Sequence, residues 1–284
     1  MGPWPLARFG AAAELLGRRD AISHPLVAAL GAELLRQTRV VLGCDLESIG
    51  LTTHLEPGGD AIARGAHAVE LASGADARTF VEGRATSPSG VAVTAMVLAS
   101  GAAYSIEHGI VGAVAQVAGE RGASDSVARE ASARLGPLAQ SVDHVVEHWA
   151  SSGARSMRIG ASTDNPNIVA GILERSRIAE AQQRYFADTF PVWSSATRSM
   201  LVRVAFDASG IVDEVGVVFR DVPGEHLVRA WRTFRPRTDV AQRIGAFVGA
   251  MGIENADRFE LRLQHNQEPV LEASYVPADT AFSR

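Results

Sequence analysis

The sequence predicts an α+β fold, an antiparallel ten-stranded β-barrel surrounded by α-helices. Five short stretches, at about 49–67, 78–98, 155–171, 200–220 and 258–276, alternate like strands and break at a Gly, Asp or Asn turn. Helix-like sequence separates most of them. The two clearest, LVRVAFDASGIVDEVGVVF and RFELRLQHNQEPVLEASYV, each carry one continuously apolar face. Hairpins with helices between them fit a sheet closed on itself, and a closed sheet encloses a lumen in which a small molecule can sit.

Element by element, residues 1–23 read as a lead-in with one short helix, and 24–284 as a single barrel domain. From 24 to 42, Leu26, Val27, Leu30, Leu34 and Val41 recur at helical spacing behind Pro25 at a first-turn position. Pro57-Gly58-Gly59-Asp60 turns the first hairpin, and Ser87–Gly90 the second. Small apolar residues over 101–120 predict a close-packed helix. Val127, Ala131, Leu135, Leu138, Val142, Val145 and Trp149 predict a long amphipathic helix over 124–149, kinked at Gly136-Pro137. RSMRIGASTDNPNIVAG reads as the third hairpin, followed by a helix over 172–189. Helices over 224–234 and 239–251 lead into the fifth hairpin.

Composition narrows the function. The 284 residues are 46% apolar and 21% charged, ordinary for a soluble globular protein. All 27 basic residues are Arg, which removes Schiff-base and P-loop lysine chemistry. A net charge of −5 argues against nucleic-acid or anionic-membrane partners. The single Cys44 excludes an internal disulfide and fits a cytoplasmic location, and no signal peptide is visible. The uncharged stretch 85–106 is too rich in Ser, Thr, Gly and Pro for a membrane span, and reads as a buried strand followed by a small-residue helix. No G-x-S-x-G, Walker A or dinucleotide fingerprint occurs.

In the fourth and fifth hairpins, Val202, Val204, Phe206, Val215, Val217, Phe219, Phe259, Leu261 and Leu263 share the apolar face. The opposite face is small or polar and carries Arg203, Arg220 and Arg262. Two readings are open. The polar face meets solvent, as in a two-layer sheet, or the sheet closes and the arginines converge on an anion, whose oxygens suit the paired donors of guanidinium.

Three segments resemble the ABBA-type aromatic prenyltransferases. GLTTHLEPGGDAIARG resembles that family's first hairpin, with Arg64 at the basic position. VAFDASGIVDEVGVVFRDVP resembles the fourth, trailed by Arg220. IGAFVGAMGIENADRFELRLQHNQEPVLEASY resembles the closing helix and hairpin, ending in Ser274-Tyr275. The resemblance spans about 25–276 and implies transfer of a prenyl group from an allylic diphosphate to an aromatic small-molecule acceptor. It implies Arg64 and Arg220 as basic positions and Tyr275 as a hydrogen-bond donor; with Arg203 and Arg262 of the polar face these arginines are the expected anion holders, and whether Mg²⁺ accompanies the diphosphate stays open. The chain departs from the family at VAVTAMVL, where a lysine is expected, and at IVAG; it has three Tyr in all. The alternative is a barrel of this type that binds a hydrophobic small molecule or does other chemistry on it. The oligomeric state is not legible.

One motif belongs to another class. His144-Val145-Val146-Glu147-His148 spells H-x-x-E-H. On a helix its histidines share a face and could hold zinc, with Glu147 as general base and Glu225 as a further ligand of a peptidase. The competing reading is two surface histidines on an amphipathic helix. Cys44 reads as a small buried residue, Asp207 and Asp213 as caps of a hairpin turn, and Ser162-Thr163-Asp164-Asn165-Pro166 as a loop.

Overall fold

The computed structural model describes residues 14, 38–43, 48–55, 91–98, 101–149, 155–194, 199–207, 209–226, 228–229, 238–251 and 254–275, with side-chain packing described from Gly112 onward. Five hairpins follow one another along the chain. β1 (Thr38–Gly43) pairs with β2 (Ser48–Leu55), β3 (Val91–Leu98) with β4 (Gly101–Gly112), and β5 (Val142–Trp149) with β6 (Arg155–Thr163). β7 (Met200–Asp207) pairs with β8 (Gly210–Pro223), and β9 (Asn255–Gln264) with β10 (Val270–Tyr275). All neighbours are antiparallel. β1 pairs with β10 as well as with β2, so the backbone ladder returns on itself.

Helices occupy the connections. α1 (Val114–Gly119), α2 (Asp125–Leu135) and a 3-10 turn (Gly136–Gln140) lie between β4 and β5. α3 (Pro166–Arg175) and α4 (Glu180–Ser194) lie between β6 and β7, and α5 (Thr238–Met251) between β8 and β9.

The α+β class and antiparallel sheet match the expectation, but several boundaries do not. β1 takes up 38–43, where the sequence predicts the end of a helix; 24–37 and the predicted second strand near 61–67 lie outside the described residues. β4 replaces the predicted helix as far as Gly112, including the end of the uncharged stretch. The predicted 124–149 helix stops at Leu135, and 142–149 is strand. Gly136 has φ +56, and a Cβ there would meet Arg175 Nη2 at 2.7 Å, so only glycine suits this exit from α2. The return strand of the third predicted hairpin is α3. Asn165 accepts from Asn167 N at 3.0 Å as its N-cap, with Pro166 in the first turn.

Side chains from β5 to β10 divide cleanly. Val145, Ile159, Val202, Val217, Phe259 and Leu261 are fully buried on the face that meets the helices. Leu135, Ile172, Phe186 and Phe247 are buried on the helices themselves. Phe219 and Phe259 stack at 6.3 Å between centroids within this layer. The helices are also tied down by polar contacts. Arg134 on α2, 4% exposed, donates to Val212 O at 3.1 Å and pairs with Asp213 Oδ1 at 2.7 Å. Gln182 on α4 accepts from Gln264 N at 2.7 Å. Asp213 thus anchors a helix instead of capping the turn, whereas Asp207 does cap it, accepting from Ser209 N at 2.7 Å. Among the described residues no helix is long and apolar enough to cross a membrane.

Candidate functional site

Successive strand residues point to opposite faces, so cross-strand register defines the face turned away from the helices. His144 on β5 lies opposite Gly160 on β6, Gly160 opposite Arg203 on β7, Arg203 opposite Gly216 on β8, and Gly216 opposite Arg262 on β9. The same face carries His148, Arg158, Glu214, Arg220, Arg258, Glu260 and, on β10, Glu272. Register also brings Asp207 on β7, Glu107 on β4 and Arg39 on β1 to this face, so six arginines stand against five carboxylates, a surplus of one positive charge.

Most of this face is withdrawn from water. Arg203 is 1% exposed, Glu260 2%, His144 5% and Glu214 6%. The reading in which the polar face simply meets solvent does not describe these positions. Arg220 is different: it is exposed at the end of β8, directly opposite Arg258.

Arg203 and Glu260 form a buried ion pair. Arg258 Nη2 donates to the other oxygen of the same carboxylate at 3.1 Å, and Arg203 Nη1 lies 3.5 Å from His144 Nε2. The glycines on either side of Arg203 make this possible. A Cβ at Gly160 would sit 2.6 Å from Arg203 Cγ, and one at Gly216 would sit 2.7 Å from Glu260 Oε1. With no side chain in either place, the guanidinium lies along the sheet and reaches across two strands. Burial alone would raise the Glu260 carboxyl, but Arg203, Arg258, Arg158 and Arg262 together hold it well below the usual carboxylate range.

A second cluster lies toward the hairpin-turn end. Arg158 Nε donates to Glu214 Oε1 at 2.8 Å, and Gln264 Nε2 donates to Glu214 Oε2 at 2.8 Å. Arg262 Nη2 donates to Glu272 Oε2 at 3.3 Å. Burial opposes the charge on Glu214, yet Arg158, Arg262 and the two hydrogen bonds leave it below its ordinary value. His148 shares this region. Burial first, then Arg158 and Arg262, lower its pKa to about 4 against the opposing pull of Glu214, so its imidazole is neutral at pH 7.

The sequence-based candidates fall out unevenly. Arg203 and Arg262 share the buried polar face, and Arg220 stands at its edge. Arg64 lies outside the described residues, as does Cys44. Tyr275 ends β10 opposite Val40, and the donor role assigned to its hydroxyl lies outside what is described. The H-x-x-E-H reading required a helix, and these residues are strand β5. On a strand Glu147 faces the opposite way from His144 and His148; it pairs with Arg121 in the α1–α2 turn at 3.4 Å, under the helices. Glu225 is exposed beside His226. Among the described residues no three His, Cys, Asp or Glu side chains converge as a metal site.

Arg158, Arg258 and the three glutamates were not picked out beforehand. The signal was present for Arg158, since Ser156, Arg158 and Gly160 alternate with Met157, Ile159 and Ala161. The short third hairpin hid it.

No protein-family model and no curated protein matches the chain. Solved structures do. 5-Dimethylallyl tryptophan synthase from Streptomyces coelicolor, in complex with DMASPP and Trp, superimposes with a TM-score of 0.65 at 14% identity, covering 99% of this chain and 94% of that one. 6-Dimethylallyltryptophan synthase from Micromonospora olivasterospora, with the same two ligands, gives 0.65 at 10% identity, covering 96% and 95%. The prenyltransferase PriB, in a ternary complex with L-tryptophan and dimethylallyl thiolodiphosphate, gives 0.59 at 12% identity, covering 98% and 91%. Over its whole length the chain therefore has the fold of the ABBA-type aromatic prenyltransferases.

Proposed function

We propose that the ring of strands encloses a lumen lined by the arginine-bearing face, and that the protein transfers a prenyl group from an allylic diphosphate to an aromatic small molecule. The observation that carries this reading is the arginine-rich face built by the buried Arg203 and the half-buried Arg158, Arg258 and Arg262, with Arg220 at its open edge. The likeness to three proteins solved with tryptophan and prenyl diphosphate analogues or related ligands supports it.

In this reading the guanidinium forks hold the diphosphate oxygens in pairs and stabilise the negative charge that grows on the leaving group as the allylic C–O bond breaks. The aromatic ring attacks the allylic carbon and then loses a ring proton. His148, neutral on the same face, is available to receive it. The closed sheet keeps water from the cation. Counter-charge comes from guanidinium, and the carboxylates of this face are already engaged by arginines, so they fit a role as Mg²⁺ ligands poorly.

That engagement also favours a second reading, a barrel of this type that binds a hydrophobic small molecule without transferring a prenyl group. One experiment separates the two: incubation with dimethylallyl diphosphate and a panel of aromatic acceptors including L-tryptophan, read by product mass. A prenylated product supports transfer; no product with any acceptor, despite ligand binding, supports the second reading. Arg220→Ala should weaken dimethylallyl diphosphate binding about tenfold, the loss of one charge-assisted contact, with the circular dichroism spectrum unchanged. Unaltered affinity would take Arg220 out of the site.

A further inference from the structure

Arg203 and Arg258 come from different strands and converge on the two oxygens of one carboxylate, Glu260. A buried arginine needs one counter-ion, and Glu260 serves two while lying within the influence of Arg158 and Arg262 as well. Two guanidiniums share this one carboxylate, whereas Arg158 and Arg262 are each paired with a glutamate of their own, Glu214 and Glu272. The pair itself is sealed, since Arg203 and Glu260 fill the space that side chains at Gly160 and Gly216 would take, and the exposed side lies toward Arg258. Arg258 has 22% of its side chain exposed, and Arg220, its direct cross-strand neighbour, is exposed. Two like charges placed opposite one another disfavour the sheet unless an anion lies between them. The three arginines thus form a line from the open edge to the buried Arg203, ending on Glu260.

We infer that Glu260 stands in for the substrate's anionic group, occupying the arginines in the empty protein and yielding them when a diphosphate arrives. This rests on the reading that the face takes a diphosphate. The carboxylate keeps Arg203 and Arg258 compensated while the site is vacant, since an uncompensated buried cation is strongly destabilising. A diphosphate offers more charge and more oxygens than one carboxylate and so competes for the same forks. Glu260 is then an internal competitor that sets affinity, and its removal should help the ligand while harming the empty fold.

The test is calorimetric titration of inorganic pyrophosphate and of dimethylallyl diphosphate into the wild type, Glu260→Gln and Glu260→Asp, with melting temperatures measured alongside. Glu260→Gln should melt lower when empty, bind pyrophosphate about tenfold more tightly, and gain more melting temperature from saturating pyrophosphate than the wild type does. Glu260→Asp keeps the charge but withdraws it from Arg203, so it should tighten binding by a smaller factor; it decides the matter if Glu260→Gln does not fold. Wild-type binding with equal or weaker binding in the variants would overturn this role and leave the diphosphate reading standing. Failure of the wild type and of both variants to bind either ligand would overturn both.

Discussion

Gly160 and Gly216 show how much of this site is decided by atoms that are missing. A methyl at Gly160 would meet Val202 O at 2.5 Å as well as Arg203, and a backbone oxygen inside a sheet cannot step aside. A methyl at Gly216 would meet only the end of the Glu260 side chain at 2.7 Å. Gly160→Ala should therefore cost about 2–3 kcal/mol in urea unfolding, and Gly216→Ala about 1 kcal/mol while displacing the Arg203–Glu260 pair. Equal losses would show that the strands have more freedom than the register implies. His148 gives a pH prediction. Its folded value of about 4 lies below its unfolded value, so as pH falls the unfolded chain takes up the proton first. Stability is unaffected above about pH 6.5 and declines between there and about 4, by on the order of 3 kcal/mol. His148→Gln should flatten that decline. Glu214 and Glu260 act in the other range: their depressed values stabilise the fold above the ordinary carboxylate pKa, and that contribution disappears only as pH falls through the folded values.

At the scale of elements, the last two hairpins were legible because strict apolar alternation on one face leaves no helical alternative: β7 through β10 fall where the pattern places them. The middle of the chain misled for definite reasons. Val142, Val145 and Trp149 step by three and four, and the polar face of β5 is buried where a two-period signal would want contrast with solvent, so helix and strand fitted equally well. β4, GAAYSIEHGIVG, has too few large residues to show a period at all. Asn165-Pro166 fits the loop of a hairpin with IVAG as its return strand, yet Asn followed by Pro is equally a helix start. Asn165→Ala should cost about 1 kcal/mol, the usual loss of an N-cap, with an unchanged urea slope. No loss would mean the cap bond is replaced by water. The site was less legible than the fold. Three of its arginines stood out on one face, but the glutamates that engage them and the two glycines beside Arg203 acquire meaning only once neighbouring strands are in register.

At the scale of the molecule, a helix-covered apolar face and a buried charged face are two consequences of one topology. In the proposed barrel, strands that pair all the way round leave no sheet edge, and the face away from the helices is then filled by whatever the inner positions supply. Here they supply six arginines against five carboxylates. That surplus is what makes a diphosphate the expected guest, and it is the part of the account with most resting on it. The most direct test is the melting temperature of the wild type and of Arg258→Gln against increasing dimethylallyl diphosphate, geranyl diphosphate and inorganic pyrophosphate. At a hundredfold excess over Kd the ligand should add about 2.7 kcal/mol of stability to the wild type, several degrees of melting temperature, with the allylic diphosphates ahead of pyrophosphate. Arg258→Gln should need about tenfold more ligand for the same rise. A wild-type melting temperature that does not move with any of the three would contradict the account.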